Sequence, residues 1–229
     1  MNLTIDIGNT RTKWALFDGD RLVEKGVGLP LPTADRTVYC ATGAIDSGLR
    51  RAMGEEAVDF TALVREGCLP IRIDYATPAT LGPDRVAAAC GAWKKSGGKA
   101  CVIIDAGTCI TIDYLDASGT YRGGAILPGI SMKFRALHTF TAKLPLLGMN
   151  SEEEEQEISP TGRTTEASMR AGVMAATRFA IEGFVAYYRQ REPDVQVWVT
   201  GGDADWIAVP DCRVEPDLVM VGMNESVEN

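Results

Sequence analysis

Short apolar segments separated by glycine turns open the chain. The apolar residues predict three strands, at about 2–7, 11–18 and 21–28, and the polar turn Asp18-Gly19-Asp20 separates the last two. Apolar runs bounded by Gly and Asp are typical of β-strands joined by tight turns. The first part of the chain is therefore predicted to be an antiparallel meander.

The rest of the chain alternates predicted strands with predicted helices. The longest helix is expected at 165–191, where apolar residues recur at helical spacing and form one buried stripe. Alternation of strands and helices after an antiparallel start indicates the α/β class. The further strands are predicted at 37–41, 69–74, 195–200 and 217–223, and the further helices at 44–53, 83–95 and 131–143.

The chain also repeats itself once. A shift of 99 positions aligns Asp6 with Asp105 and Gly8 with Gly107, inside the similar segments 3–18 and 102–116. A repeat of this length indicates two structurally related halves. We therefore expect a second meander, with strands at 101–106, 109–116 and 120–126. The expected domains are residues 1–98 and 99–229, joined by a linker at Ser96-Gly97-Gly98-Lys99.

The repeated Asp-x-Gly turn has a chemical interpretation. Glycine lets backbone N–H groups approach an anion closely, and hydroxyls beside it add donors. Asp6 and Asp105 end apolar strands, where an unpaired carboxylate is costly, so each is placed to hold a cation that a polyphosphate carries. Lys13 would face the phosphates. The alternative is that each turn is only a hairpin.

Two further segments contain candidate site residues. Asp84 and Arg85 follow Pro83 at the predicted start of a helix and could supply a general base and an anion clamp. They could equally be a first-turn acid and a surface charge. The run 162–165, Gly-Arg-Thr-Thr, precedes the longest helix; its hydroxyls could bind a carboxylate or simply cap the helix.

Composition and charge narrow the function. The net charge of −8 disfavours nucleic acid as a partner. No basic leader followed by an apolar stretch and no run long enough for a membrane span occurs, so a cytoplasmic protein without membrane contact is expected. The six cysteines lack a CxxC pair and are expected to be reduced thiols, and His138 is expected at the surface. The acidic run 152–157 is expected to be a solvated loop.

Motif searches exclude two common nucleotide-binding classes. Neither GxxxxGK[ST] nor a GxGxxG after a strand is present, so the chain is not a P-loop enzyme and is not expected to be a dinucleotide-binding fold. Taken together, the remaining motifs closely resemble the type III pantothenate kinase family. The matching segments, in order along the chain, are DIGNTRTK (6–13), Tyr75 ahead of GPDR (82–85), DAGTCIT (105–111), GGAILPG (123–129), GRTT (162–165), TGG (200–202) and the segment 217–229.

The resemblance implies a fold and a reaction. The fold is the actin-like ATPase fold of the acetate and sugar kinases, Hsp70 and actin, with two ribonuclease H-like lobes and a nucleotide cleft between them. The reaction is the phosphorylation of pantothenate by ATP to 4′-phosphopantothenate, the first step of coenzyme A synthesis. The resemblance also implies Mg²⁺, a monovalent cation (K⁺ or NH₄⁺) and a homodimer that completes the substrate pocket.

The resemblance also assigns residue roles. Asp84 is expected to accept the proton, Asp6 to serve Mg²⁺ and Asp105 to hold the monovalent cation. The residues expected to contact ATP are Asp6, Ile7, Gly8, Asn9, Thr10, Arg11, Thr12, Lys13 and Thr108. Those expected to line the pantothenate pocket are Tyr75, Gly82, Pro83, Asp84, Arg85 and Thr165. Arg11 and Cys109 depart from the family pattern, which often has Asn and Ala there. Two rivals stay open: another small-molecule kinase of this superfamily, and a non-catalytic ATP-binding switch or regulator.

Overall fold

A computed structural model describes residues 1–149, 159–207 and 209–228 of the chain. The predicted acidic loop at 152–157 lies outside these residues. The strands are β1 (Asn2–Ile7), β2 (Thr12–Asp18), β3 (Arg21–Val27), β4 (Arg36–Ala41), β5 (Val58–Asp59), β6 (Arg72–Ile73), β7 (Cys101–Ala106), β8 (Cys109–Leu115), β9 (Thr120–Pro128), β10 (Gln196–Thr200) and β11 (Cys212–Val214). The α-helices are α1 (Ser47–Met53), α2 (Phe60–Glu66), α3 (Pro83–Ser96), α4 (Ile130–Thr139), α5 (Thr165–Arg170), α6 (Ala176–Arg189), α7 (Ala204–Ile207) and α8 (Leu218–Glu228).

The first sheet confirms the predicted meander. Its strand order is β3-β2-β1-β4-β5. β1 pairs antiparallel with β2, with Ile5 opposite Trp14, and β2 pairs antiparallel with β3. β4 lies on the other side of β1 and runs parallel to it, with Ile5 opposite Tyr39. The buried side chains of β1 and β2 are apolar except for Thr4, whose hydroxyl donates to the Ala15 carbonyl oxygen, and this composition explains why the strands are buried.

The second sheet repeats this arrangement. Its order is β11-β10-β7-β8-β9-β6. Read from β9 to β11, the sequence of strands is the same as from β3 to β5 in the first sheet, so the predicted duplication is confirmed at the level of topology. The short strand β6 is added at the edge, parallel to β9, with Arg72 opposite Thr120. The strand predicted at 69–74 is thus present only as β6.

The C-terminal segment is a helix and not the predicted strand. Residues 217–223 were expected to be strand-like, but Leu218–Glu228 form helix α8. A short apolar run does not distinguish a buried strand from a buried helix. Glycines at the contact with α3 favour the helix here. A Cβ on Gly222 would lie 1.8 Å from the carbonyl oxygen of Ala87, and a Cβ on Gly91 would lie 2.2 Å from the carbonyl oxygen of Leu218. α8 therefore packs backbone to backbone on α3.

The longest predicted helix is confirmed in extent but is not uniform. α5 and α6 are joined by a π-helical segment, Ala171–Ala175. The Thr177 hydroxyl, which is buried, donates to the carbonyl oxygen of Val173 within this segment and accepts a hydrogen bond of 2.6 Å from Lys133 Nζ on α4. Burial lowers the pKa of Lys133.

The chain divides into two compact units that are not consecutive halves. The first contains Met1–Ile103, Asp113–Gly123 and Asp217–Asn229, and the second contains Ile104–Ile112 and Gly124–Pro216. The domain boundary at 98/99 stays a prediction. In the first unit a core cluster is built from β1, β2, β4 and α1 and includes Leu3, Ile5, Ile7, Trp14, Leu16, Tyr39, Leu49 and Met53.

Several smaller expectations are settled by the described residues. All six cysteines are free, as expected, and three of them are buried. His138 is exposed, and its Nδ1 lies 2.8 Å from the carbonyl oxygen of Leu144. Within the parts of the chain that are described, no helix combines the length and the apolar character needed to cross a bilayer.

Candidate active site

The first glycine turn (residues 8–11) connects β1 to β2. The N–H of Gly8 donates to the carbonyl oxygen of Arg11 at 3.1 Å, which closes the turn. Gly43, just after β4, packs against it: its N–H donates to Ile7 O at 2.9 Å, and a Cβ there would lie 2.3 Å from Gly8 O. Only glycine fits at position 43, so the turn is held rigidly against the end of the neighbouring strand.

The second glycine turn (residues 107–109) has the same construction in the other unit. The N–H of Gly107 donates to Cys109 O at 2.9 Å. Gly201, just after β10, has a φ of +96°, and a Cβ there would lie 2.2 Å from Ala106 O. Each turn is thus supported by a glycine that follows the adjacent strand.

Sequence reasoning missed this supporting pair. Thr42-Gly43 and Thr200-Gly201 occupy corresponding places in the two sheets, at the ends of β4 and β10. The second doublet enters the sequence analysis only as part of a family motif, and the first does not enter it. The signal that could have found them is a Thr-Gly dipeptide at the end of a predicted strand in both copies.

Backbone oxygen atoms cluster beside Asp105 and Thr108. A Cβ on Gly129, at the start of α4, would lie 2.3 Å from Gly107 O and 2.4 Å from Thr108 O. The Gly129 N–H donates to Thr108 O at 3.1 Å. Asp105 is half-buried at the end of β7. The Asp105 carboxylate and the carbonyl oxygens of Gly107 and Thr108 are oxygen donors of the kind that hard cations prefer.

Asp6 and Asp84 form a carboxylate pair in the first unit. Burial raises the pKa of Asp6 to about 6, the charge of Asp84 adds to this, and Lys13 opposes it. Burial also raises the pKa of Asp84, against the hydrogen bond from the Arg85 N–H and the Arg85 charge, which lower it. A desolvated carboxylate whose pKa is raised by a second acid beside it is well placed to hold a cation.

Asp84 lies in the first turn of α3. Pro83 begins the helix, as predicted, and Gly82 precedes it as a cap without a side chain. The Arg85 N–H donates to Asp84 Oδ1 at 2.9 Å, which fixes one carboxylate oxygen against the helix start. Arg85 is not a surface charge, because its side chain is only 7% exposed and pairs with Asp113.

Tyr75 lies close to a glycine of the second meander. Gly123 has a φ of +90°, and a Cβ there would lie 3.2 Å from the Tyr75 ring. The Tyr75 ring also lies 6.2 Å from the ring of Tyr121, between centroids. Tyr75 and Arg85, both expected to contact the substrate, therefore belong to one packed group in the first unit.

The Gly-Arg-Thr-Thr run (162–165) caps a helix, which was one of the two roles predicted for it. Thr164 is the N-cap of α5, and its side chain accepts from the Ala167 N–H at 3.1 Å. Gly162 is required here, because a Cβ would lie 2.1 Å from Ser168 N. Thr165 is exposed at the first position of the helix.

No group of three or more His, Cys, Asp or Glu side chains suited to a metal occurs among residues 1–149, 159–207 and 209–228. This is compatible with Mg²⁺, which keeps several waters and usually takes one or two carboxylates plus substrate phosphates. Asp6, desolvated beside Asp84, is a carboxylate of that kind.

Comparison with solved structures identifies the fold. A Campylobacter jejuni protein described as a Baf family transcriptional activator matches with a TM-score of 0.63 at 19% identity, covering 99% of this chain and 97% of that one. The glucokinase of Balamuthia mandrillaris, solved with glucose, matches with a TM-score of 0.50 at 10% identity, covering 100% of this chain and 93% of that one. The α/β fold with two similar sheets is thus the actin-like fold of sugar kinases and related ATPases, as expected.

Sequence comparison identifies the family. The family model for type III pantothenate kinase matches residues 35–187. The type III pantothenate kinase of Phocaeicola vulgatus is 37% identical over 215 residues, covering 89% of this chain and 86% of that one. The chain belongs to the type III pantothenate kinase family. It is a kinase that uses ATP to phosphorylate pantothenate in coenzyme A biosynthesis, so the predicted family and activity are confirmed.

Proposed function

We propose that the enzyme transfers the γ-phosphoryl group of ATP to the primary hydroxyl of pantothenate with Asp84 as the proton acceptor. The hydroxyl oxygen attacks the γ-phosphorus in line, its proton passes to an Asp84 carboxylate oxygen, and ADP leaves. The products are 4′-phosphopantothenate and ADP. In phosphoryl transfer of this kind, positioning and charge neutralisation supply most of the catalysis.

The position of Asp84 carries this proposal. One of its oxygens is held by the Arg85 N–H, and the side chain is largely buried beside Asp6. Burial raises the pKa of Asp84, so the carboxylate is a stronger base than an exposed aspartate. Asp84 must be ionised to accept a proton, so we expect the rate to fall as the pH falls through this raised pKa.

The first glycine turn is proposed to bind ATP. Backbone N–H groups beside Gly8 and the hydroxyls of Thr10 and Thr12 can donate to phosphate oxygens, and the ammonium of Lys13 can pair with them. Gly43 packs directly against this turn, which supports a preformed site. The remaining proposed ATP contacts are Asp6, Ile7, Asn9, Arg11 and Thr108.

Two cations are proposed to assist. Mg²⁺ would be held by Asp6, and when bound it neutralises charge on the phosphate oxygens. A monovalent cation, K⁺ or NH₄⁺, would be held by Asp105 and neighbouring backbone carbonyl oxygens. The carbonyl oxygens of Gly107 and Thr108, which meet at Gly129, support this assignment.

The pantothenate pocket is proposed to include the start of α3 and the Tyr75 segment. The close packing of Tyr75 on Gly123 and the burial of Arg85 support a preformed pocket wall here. The proposed contacts are Tyr75, Gly82, Pro83, Asp84, Arg85 and Thr165.

We further propose a homodimer located in the cytoplasm, where its substrate ATP is available, without nucleic acid or membrane partners. The exposed apolar side chains of Phe140 and Phe179 support a partner surface in the second unit. Light scattering of the purified chain would give twice the monomer mass, and fractionation of cells would place the enzyme in the cytoplasmic fraction.

The test of the catalytic assignment is Asp84→Asn. The amide keeps the size of the side chain but cannot accept the proton, so pantothenate-dependent ADP release should fall by about 10²- to 10⁴-fold. Asp20→Asn is the matched control, because Asp20 is exposed and pairs with Lys94 at the other end of α3. Near-normal turnover by folded Asp84→Asn would remove Asp84 from the mechanism.

An acceptor screen addresses the rival functions. Pantothenate, glucose, N-acetylglucosamine and acetate are compared at equal concentration, with ADP release as the readout. The family match favours pantothenate. ADP release with a sugar or acetate alone would indicate another kinase of the superfamily, and ATP binding without any acceptor would indicate a switch.

A further inference from the structure

A buried ion pair joins the candidate pocket to the second meander. Arg85 Nη2 lies 2.6 Å from Asp113 Oδ1, and Arg85 Nε lies 3.1 Å and 3.2 Å from the two carboxylate oxygens. The side chains are only 7% and 1% exposed. Burial alone would lower the pKa of Arg85, but Asp113, with a contribution from Tyr75, raises it above its usual range.

Tyr121 completes this group. Its hydroxyl donates to Asp113 Oδ1 at 2.7 Å, and its side chain is fully buried. Burial and the charge of Asp113 raise the pKa of Tyr121, so it remains a hydrogen-bond donor. The backbone of Tyr121 also accepts from the Asp74 N–H at 3.0 Å, which fixes the residue directly before Tyr75.

The four side chains connect two separate segments that are proposed to contact pantothenate. Arg85 belongs to the start of α3, and Tyr75 follows β6, while Asp113 and Tyr121 come from β8 and β9. Tyr75 interacts with both ends of the group, since it contributes to the raised pKa of Arg85 and packs near the Tyr121 ring.

A purely stabilising role is a poor explanation for such a pair. A protein with a buried ion pair is often no more stable than one with apolar side chains of the same volume in its place, because both charges lose their water on folding. Their contribution is then geometric. A guanidinium held by two carboxylate oxygens has a fixed plane, and this fixes the first turn of α3, which carries Asp84.

We propose that Asp113 and Tyr121 are positioning residues of the pantothenate site, holding Arg85 and Tyr75 in the orientation that the substrate requires. This rests on the proposed function, since it assigns these residues to the same pocket. It also assigns Arg85 a geometric role: its charge is balanced by Asp113, so it acts as an oriented donor rather than as an uncompensated positive charge.

The test compares Asp113→Asn and Tyr121→Phe with Asp116→Asn. Asp116 is the matched control because it lies just after β8 and also pairs with an arginine, Arg122, at 2.7 Å, but this arginine is exposed to solvent. Steady-state kinetics are measured for pantothenate and for ATP separately, with thermal unfolding of each variant.

We expect kcat/KM for pantothenate to fall about 10- to 100-fold in Asp113→Asn and less in Tyr121→Phe, because small misplacements of substrate-positioning groups have effects of this size. KM for ATP should stay within about twofold of the wild type, and the control should match the wild type in both. If Asp113→Asn does not fold, Tyr121→Phe decides, because it keeps the ion pair.

Two outcomes would overturn the inference, and they are distinguishable. Equal losses for pantothenate and ATP, or kinetics like those of Asp116→Asn, would mean that the group is only structural while pantothenate phosphorylation stands. Absence of pantothenate-dependent turnover in the wild type would instead overturn the proposed function, and the positioning role with it.

Discussion

At the scale of single residues, the carboxylate proposed to serve Mg²⁺, Asp6, also destabilises the fold. Its pKa is raised to about 6 from 3.8, so the folded chain binds a proton more tightly than the unfolded chain does. The ionised carboxylate therefore destabilises the cation-free protein above about pH 6. This cost declines as the pH falls from about 6 to 3.8 and is lost below 3.8, where the carboxyl is protonated in both states.

We predict that Asp6→Asn stabilises the cation-free protein at pH 7.5 by up to about 3 kcal/mol, with little effect near pH 4, and that it lowers kinase activity. Urea unfolding at both pH values measures this. Asp18→Asn, an exposed residue of the same sheet, should change the free energy of unfolding by less than about 0.5 kcal/mol. Destabilisation of Asp6→Asn at pH 7.5 would contradict the prediction.

The candidate site was only partly predictable from individual residues. The Asp-x-Gly turns and Asp84 carry local signals that are visible in the sequence. Asp113 was missed, although a carboxylate within the apolar run of β8 is as costly as one at the end of a strand. Its partner Arg85 is 28 positions away, and nothing in the sequence relates the two.

At the scale of elements, the contact between α3 and α8 depends on glycine. A Cβ on Gly222 would lie 1.8 Å from Ala87 O, and this atom belongs to the helix backbone and cannot move alone. Gly222→Ala should therefore separate the helices and lower the free energy of unfolding by about 1–3 kcal/mol, despite the better helix propensity of alanine.

Gly183→Ala is the control for that prediction. Gly183 lies inside α6, and a Cβ added there would have no neighbouring atom within 4 Å, so alanine should raise the free energy of unfolding by about 0.5–1 kcal/mol. Denaturant unfolding of both variants gives the two signs directly. A stabilising Gly222→Ala would show that α8 can move away from α3 without loss.

Helix α8 shows why some elements are predicted correctly from the sequence and others are not. Meander strands and α3 have strong local signals: alternation, Gly-Asp turns and Pro83 at the first helical position. α8 was misread because its apolar run fits either structure, and the deciding contact is with residues more than 100 positions away. The parallel pairing of β4 with β1 and the edge strand β6 likewise depend on long-range contacts.

At the scale of the whole molecule, the negative net charge opposes the binding of anionic substrates, so the proposed substrate sites must attract them locally. The chain has a net charge of −8, and both ATP and pantothenate are anions. The field of the chain opposes their binding over roughly 10 Å at moderate salt. Added salt of any kind should therefore improve kcat/KM slightly by screening, so a specific cation effect must be measured at constant ionic strength.

Under that condition we predict that replacing K⁺ by Na⁺ lowers the rate at least roughly fivefold, the scale of a typical ligand coupling. The difference should disappear in Asp105→Asn, which loses the carboxylate proposed to hold the cation, and should persist in Asp194→Asn, an exposed acid of the same unit. Both substitutions change the net charge equally, so a different response to K⁺ and Na⁺ in the two variants must come from a local cation site. Equal rates of the wild type in K⁺ and Na⁺ would mean that screening alone relieves the charge.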